Sequence, residues 1–421
     1  MNGKHMSAHS LVTEAHVKAV LKADKGNDIL LTSWAIEDFT EKGDNLATVV
    51  TSVKVMFSHN DSVQRISYVV KLNPCYDGNV TEDITRKSFQ KESRFYKELL
   101  PALDSELMSA GKKPLRMPAF YYSSLEKGKE MIFLEDLRSK GFKMHNRKEG
   151  LNVAHATLVL QEMARLNAAS LLLQARTPDE DLADKYSFLK DDWATSTGEE
   201  KEKVVKMISG FFGNTYNLLQ SIGGYEKCEE WILQNQTKCF DILQEQISRN
   251  PPYEVLCHGD CWNNNFLFRY SEEDVPLEVM MVDLQVARVA SPATDLNYFL
   301  YTSLTGDTRS GHLEDLLATY HQTFSKLMEA GGVATPFTLQ ELRLEYRNKH
   351  KYGLIFASFI VPMVVSDSTD TPEAKEVMNA VLTESMEVWC RKAQQMLASD
   401  TTVRKRFLSI FDEMIEAGVF V

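Results

Sequence analysis

The chain has 421 residues, 43% hydrophobic and 10% aromatic, enough to bury a sizeable core, which excludes wholesale disorder. Its 47 lysines and arginines face 59 aspartates and glutamates, a formal net charge of -12. That balance argues against a generic nucleic-acid binder, whose phosphate contacts need a basic face. Six scattered cysteines, Cys75, Cys228, Cys239, Cys257, Cys261 and Cys390, are too sparse for a disulfide framework and suit a reducing compartment.

Met1 to Lys22 mixes histidine, serine and lysine and lacks the apolar core of a signal peptide. Trp34 to Thr40 reads as a strand, Glu41 to Asn45 as a turn, and Leu46 to Phe57 as a long strand rich in valine and threonine. Arg65 to Leu72 alternates as a half-buried strand does. Ile84 to Leu100 reads as a helix stopped by Pro101. Glu130 to Leu137 is an apolar strand, and a loop from Arg138 to Phe142 follows.

From Leu151 onward the pattern turns helical. Val159, Met163, Leu166, Ser170 and Leu173 form one core-facing stripe. Asp181 to Asn250 holds several helical stretches interrupted by Gly198, Gly210, Gly213 and Gly223-Gly224. A strand-and-turn island spans Val255 to Val289, after which helices resume. The most apolar stretch, Tyr352 to Val365, contains Pro362 and falls short of the roughly 20 residues that span a bilayer, so it reads as a buried helix. The simplest architecture is α+β with two lobes, a strand-rich one over 1–137 and a larger, mainly helical one over 138–421, hinged near Glu135. A soluble, cytoplasmic protein with no membrane span is expected; oligomeric state is not legible.

The densest polar cluster, Cys257 to Asn265, ends where the strand Phe266 to Tyr270 begins. After the turn Ser271 to Pro276, Leu277 to Val282 forms a second strand ending on Asp283. If the two strands pair, Asn265 and Asp283 lie opposite each other, two oxygen ligands that suit a hard cation such as Mg²⁺. The alternative is an ordinary solvated loop. Lys71, ending an apolar strand, and Glu92, on the apolar stripe of the next helix, would each need a partner if buried, and could supply one another. The alternative is a snorkelling lysine and a helix-edge glutamate. The turn around Gly43 lets backbone amides approach a phosphate, although one glycine in a hairpin is more often only a turn. Cys257, His258 and Cys261 raise zinc as a rival, but no second ligand pair stands at zinc-like spacing.

Taken in order, glycine turn, strand lysine, helix glutamate, Asp-x-x-x-x-Asn and a later aspartate make a kinase-like set. The run HGDCWNNNF followed by MVDLQ resembles the signature of choline-kinase-like and aminoglycoside-phosphotransferase-like enzymes, most closely the ecdysteroid kinase-like family. Its other motifs have counterparts in Gly43-Asp44-Asn45, Lys71, Phe89 to Tyr96 and Leu134 to Leu137, so the resemblance runs from about Gly43 to the carboxyl-terminal helices. Leu46, Thr48 and Asn167 depart from the pattern, where an aromatic, a serine and a histidine are usual.

The resemblance implies a protein-kinase-like fold and an ATP- and Mg²⁺-dependent kinase acting on a small-molecule alcohol, with ecdysteroids the named case. Asp260 would be the catalytic residue, and Asn265 and Asp283 the metal ligands. Gly43, Asp44, Asn45 and Thr48 would cover the phosphates, Lys71, positioned by Glu92, would contact them, and Glu135 and Leu137 would offer main chain to adenine. Two alternatives stay open: a dead kinase fold that captures a lipophilic ligand, and a kinase for a choline-like cation. A protein kinase fits less well, since VDLQ replaces DFG and no APE-like segment follows.

Overall fold

The computed structural model describes residues 7–38, 48–60, 62–74, 79–365 and 386–420. The turn Gly43-Asp44-Asn45, together with Leu46 and Cys75, lies outside the described residues. Among these residues the amino-terminal part carries a five-stranded antiparallel sheet, and the remainder is mainly helical. The class is α+β, as the residue pattern implies.

A helix the sequence reading did not place, α1 (Glu14–Lys25), opens the fold. Thr13 caps it, accepting a hydrogen bond from the His16 N–H, and Val17, Val20 and Leu21 form its buried face. The strands β1 (Leu30–Asp38), β2 (Val49–His59) and β3 (Ser62–Leu72) follow. β1 and β3 begin earlier than expected and β2 begins and ends later, because pairing, not composition, sets their ends. The helix expected over Ile84 to Leu100 does not stop at Pro101. It runs as α2 (Asn79–Arg94), a π-helical turn (Phe95–Leu99) and α3 (Leu100–Ser109). The wider turn comes directly before the proline, whose ring would otherwise crowd the carbonyl four residues back. A further unexpected strand, β4 (Phe120–Ser124), pairs with β5 (Met131–Glu135), giving the order β1-β2-β3-β5-β4.

A short strand, β6 (Lys143–Met144), precedes α4 (Val153–Arg176), which buries the whole expected stripe from Val159 to Leu173. Beyond it come α5 (Leu182–Lys185), α6 (Gly198–Ile222), α7 (Glu226–Asn235) and α8 (Cys239–Ile247). Gly210 and Gly213 do not interrupt α6, contrary to expectation. A Cβ on Gly213 would lie 2.8 Å from the Gln236 side chain, so this glycine serves close packing. The island holds β7 (Val255–Cys257), β8 (Phe266–Tyr270), β9 (Pro276–Met281) and β10 (Arg288–Ala290). Then follow α9 (Pro292–Ser303), α10 (Gly306–Ala330), α11 (Leu339–Asn348), α12 (His350–Val365), α13 (Met386–Ser399) and α14 (Thr401–Glu416). Tyr352 is fully buried near the start of α12, and among the described residues no helix is long and apolar enough to cross a membrane.

Two hydrophobic clusters result. The smaller joins α1 to one face of the sheet through Val53, Val55, Phe57, Val70 and Phe133. The larger fills the helical part and takes in Phe89, Phe95 and Tyr96, so α2 leans on the helices while facing the sheet.

Buried histidines make this packing sensitive to acid. His155 is bonded to Asn152 Oδ1 at 2.8 Å and Tyr270 Oη at 3.0 Å, and burial, with His145 beside it, lowers its pKa to about 4. Burial, with Arg347 nearby, lowers His350 to about 4 as well. Both start from 6.5, so between pH 6.5 and 4 the unfolded chain binds more protons than the folded one. Their stabilising contribution is therefore complete above pH 6.5 and is lost as pH falls towards 4. Denaturant melts across that window should show stability falling with a slope that flattens in a His155→Gln/His350→Gln double variant. An unchanged slope would contradict this.

Candidate active site

Lys71 lies one residue from the end of β3, where the pleat turns it into the space between sheet and α2. Its ammonium bonds to Glu92 Oε2 from α2 and, at 2.8 Å, to Asp283 Oδ1 just past β9. Lys71 is 6% exposed and Glu92 1%. Burial works against the charge on Lys71, but Asp283 and Glu92 outweigh it and hold the pKa above the ordinary lysine value. Burial, reinforced by the Asp283 charge, pushes Glu92 upward against the pull of Lys71. An ammonium so desolvated persists only because two carboxylates face it.

The polar cluster forms a loop slung between the paired strands β7 and β10 on one side and β8 on the other. Gly259 has φ +83°, and a Cβ there would lie 2.3 Å from the Val286 carbonyl oxygen, so only glycine fits. His258 spans the loop, its Nε2 bonded to the Val282 carbonyl at 2.9 Å and its Nδ1 accepting the Asp260 N–H at 3.3 Å. The two bonds together require the Nε2–H tautomer. His258 therefore fastens the loop to the strand that delivers Asp283.

Asp260 is half-buried at the floor of this arrangement. Its Oδ2 accepts from Asn265 Nδ2 at 2.9 Å and its Oδ1 from the Tyr298 hydroxyl at 2.7 Å. Burial and the nearby Asp283 charge raise its pKa, while Tyr298, His258 and Asn265 oppose the rise. Because Asn265 gives its amide nitrogen to Asp260, its side-chain oxygen is turned away from that carboxylate.

Asn265 and Asp283 are not directly opposite, as the simple hairpin reading had it. Phe266 pairs with Met281, and the Val282 N–H donates to the Asn265 carbonyl at 3.1 Å, so Val282 stands across from Asn265. The pairing is regular from Phe266↔Met281 to Arg269↔Glu278, and that register sets Asp283 one residue beyond the position opposite Asn265. Asp283 then turns out of the strand at φ +68°, a left-handed conformation uncommon for a residue with a side chain.

Lys71, Asn265 and Asp283 line one cavity of about 280 Å³ between sheet and helical part, together with Glu135 and Leu137. Val50, Val69, Leu134 and Leu267 supply apolar walls. Leu137 opens a 3-10 turn capped by Asp136, so its own N–H has no acceptor within that turn. The Glu135 N–H, by contrast, is already given to the Ala119 carbonyl at 2.8 Å. Thr48 is buried beside the start of β2 but is not among the residues lining the cavity.

Sequence reasoning missed the supports. Asp295 in α9 is buried and accepts the backbone N–H groups of His258 at 2.6 Å and Gly259 at 3.0 Å. Tyr298, one turn on, holds Asp260. Asp136 and Arg138, at the turn after β5, tie that turn to Ser67 of β3 and Ser52 of β2. The only signal for Asp295 was an acid in the first turn after Ser291-Pro292, which reads as ordinary capping. Asn167 proves to be a packing residue, bonding the Leu256 carbonyl at 2.7 Å and the Tyr320 hydroxyl at 2.7 Å. Cys257 and Cys261 are buried, and burial pushes both thiols well above their ordinary range. Among the described residues no group of three or more His, Cys, Asp and Glu side chains is placed to hold a metal alone.

A buried lysine between two carboxylates and a cavity lined by Lys71, Asn265 and Asp283, with the loop aspartate Asp260 bonded to Asn265 but not itself lining that cavity, fit a phosphotransferase of the small-molecule kinase class. The chain belongs to the ecdysteroid kinase-like family, whose match covers residues 42–332. Among solved structures it is similar to the GDP complex of wild-type aminoglycoside 2'-phosphotransferase-IIIa, with 12% identity, 91% of this chain and 99% of that one covered, and a TM-score of 0.38. It is likewise similar to a Plasmodium vivax ethanolamine kinase (9% identity, 85% and 83% covered, TM-score 0.39). The choline kinase LicA from Streptococcus pneumoniae matches with 13% identity, 84% and 99% covered, and a TM-score of 0.36. No curated protein sequence matches the chain.

Gly259→Ala should force the loop off Val286 at a cost on the order of 3 kcal/mol. We expect a lower melting temperature and near-complete loss of nucleotide turnover. A variant that melts and turns over like the wild type would contradict the loop geometry.

Proposed function

We propose that this protein transfers the γ-phosphoryl group of ATP to a hydroxyl of a lipophilic alcohol, of which an ecdysteroid is one example. The observation that carries the reading is the convergence of Lys71, Asn265 and Asp283 on one cavity, with Asp260 bonded to Asn265. Asp260 orients the acceptor hydroxyl and takes its proton as the oxygen attacks the γ-phosphorus and ADP leaves. Lys71, positioned by Glu92, contacts the α- and β-phosphates. The main chain around Leu137 meets adenine, and the backbone from Gly43 to Thr48 covers the phosphates. Residues 1–137 then act as the nucleotide lobe and 138–421 as the catalytic and acceptor lobe.

The donor set fits Mg²⁺. One carboxylate, Asp283, and one amide oxygen, Asn265, both border the cavity, and Mg²⁺ is commonly held by one or two protein oxygens plus substrate phosphates. When bound there, Mg²⁺ neutralises phosphate charge during transfer. The Lys71–Asp283 contact is then the arrangement that a cation and nucleotide would divide between them, Asp283 turning to the metal and Lys71 to phosphate.

Support for an apolar acceptor comes from a run of rings that begins at the residue holding Asp260. Tyr298 stacks on Phe356 at 4.2 Å, Phe356 meets Phe359 at 5.4 Å, and Phe359 stacks on Phe211 at 4.7 Å. Trp193 joins Phe356 edge-on at 6.3 Å. Trp193, Phe211 and Phe359 are each partly exposed, so apolar surface remains for a ligand. Burying it contributes roughly 25 cal/mol per Å², which favours a large lipophilic alcohol over a small cation.

The test is a mass-spectrometric screen for the added phosphoryl group, with ecdysteroid-like polyols, other lipophilic alcohols, choline and aminoglycosides as acceptors. Lipophilic alcohols should be phosphorylated, and Asp260→Asn should slow transfer on the order of 10²-fold. Phosphorylation of choline alone would overturn the acceptor class. No transfer to any acceptor would overturn the kinase reading.

A further inference from the structure

The loop that carries Asp260 fixes the backbone of that residue by itself. The Asp260 N–H is held by His258 Nδ1, and its carbonyl accepts from Asn265 Nδ2 at 2.9 Å. The carboxylate is different. Oδ2 has a partner within the loop, the same Asn265 amide, but Oδ1 depends on a residue from outside it, Tyr298 of α9.

We propose that Tyr298 is a positioning residue for phosphoryl transfer: with Asn265 it holds the Asp260 carboxylate in the orientation that receives the acceptor's proton. This rests on Asp260 being the proton acceptor. The carboxylate can rotate about its bond to Cα through Cβ, and one loop contact leaves that rotation weakly fixed. The second contact comes from a hydroxyl that cannot itself wander. The Tyr298 ring is 1% exposed, stacked on Phe356 at 4.2 Å and 26°, and met by Tyr352 edge-on at 6.3 Å. Burial and the adjacent Asp260 raise the phenol well above its ordinary pKa, so it stays a donor.

The placement within α9 strengthens the inference. Asp295 and Tyr298 are three residues apart and share one helix face. The first holds the loop backbone through two N–H groups, the second the loop's reactive carboxylate. One rigid helix thus sets both the path of the loop and the direction of its acid. Catalytic groups held by packed neighbours lose rate sharply when loosened, because a small misplacement moves them out of reach of the reacting atom.

A double-mutant cycle separates this role from mere packing. Tyr298→Phe removes one oxygen and keeps the ring. Steady-state ADP release would be measured for wild type, Tyr298→Phe, Asp260→Asn and the double variant, with the best acceptor from the screen and with water alone. Nucleotide affinity and melting temperature would be measured alongside. We expect Tyr298→Phe to lower kcat by roughly ten- to a hundredfold with KM for ATP within about twofold of wild type. In the Asp260→Asn background the same substitution should cost less than about twofold. Wild-type kcat in Tyr298→Phe would overturn the proposal, and so would an equal loss in both backgrounds, which marks general damage to the fold. If Asp260→Asn alone turned over like the wild type, the role of Asp260 would fall, and the inference with it; an inactive Asp260→Asn beside a fully active Tyr298→Phe would leave the proposed function standing.

Discussion

A lysine at 6% exposure can stay charged only if the protein replaces the water it has lost. Here two carboxylates do so, and they come from residues 92 and 283, far apart in sequence. The ammonium of Lys71 therefore joins the central strand of the sheet, the helix beside it and the residue just past the β8–β9 hairpin. Removing any one partner leaves buried charge uncompensated, a penalty large enough to hold three segments in register. The cavity exists where these segments meet, so its shape follows from satisfying one cation.

The same economy governs the loop. Its backbone amides at His258 and Gly259 are satisfied by Asp295, its histidine by the Val282 carbonyl, and its acid by Tyr298 and Asn265. Few of its polar atoms are left to solvent, and the direction of each reactive group is set by the need to satisfy another. The left-handed backbone at Asp283 belongs to this arrangement: it turns a carboxylate out of a strand and towards the lysine.

Much of the site was legible because it breaks the rules of patterning. Lys71 and Glu92 stood out as charges on apolar faces, and the run from Cys257 to Asn265 as a polar cluster between apolar strands. The supports of α9 were not legible, because Asp295 looks like a first-turn acid and Tyr298 like a core ring. Only the fold reveals what lies opposite them. Pro101 misled because a proline that ends one helix and a proline in the first turn of the next look alike in sequence, and the π turn that joins them leaves no mark. Gly210 and Gly213 misled for a related reason, since tertiary packing around α6 overrides their weak helix propensity. The one-residue error at Asp283 arose because the strand ends alone do not fix which residues pair across a hairpin.

The proposed function requires that Asp283 be able to hold a metal ion and Lys71 a phosphate in place of one another. A crystal structure with Mg²⁺ and a non-hydrolysable ATP analogue tests it most directly. The account predicts the analogue in the cavity bordered by Leu137 and Lys71, a metal ion bound by Asp283 and the Asn265 side-chain oxygen, and Lys71 moved to phosphate while still paired with Glu92. Nucleotide bound elsewhere, or an intact Lys71–Asp283 contact with no metal at Asn265, would contradict it.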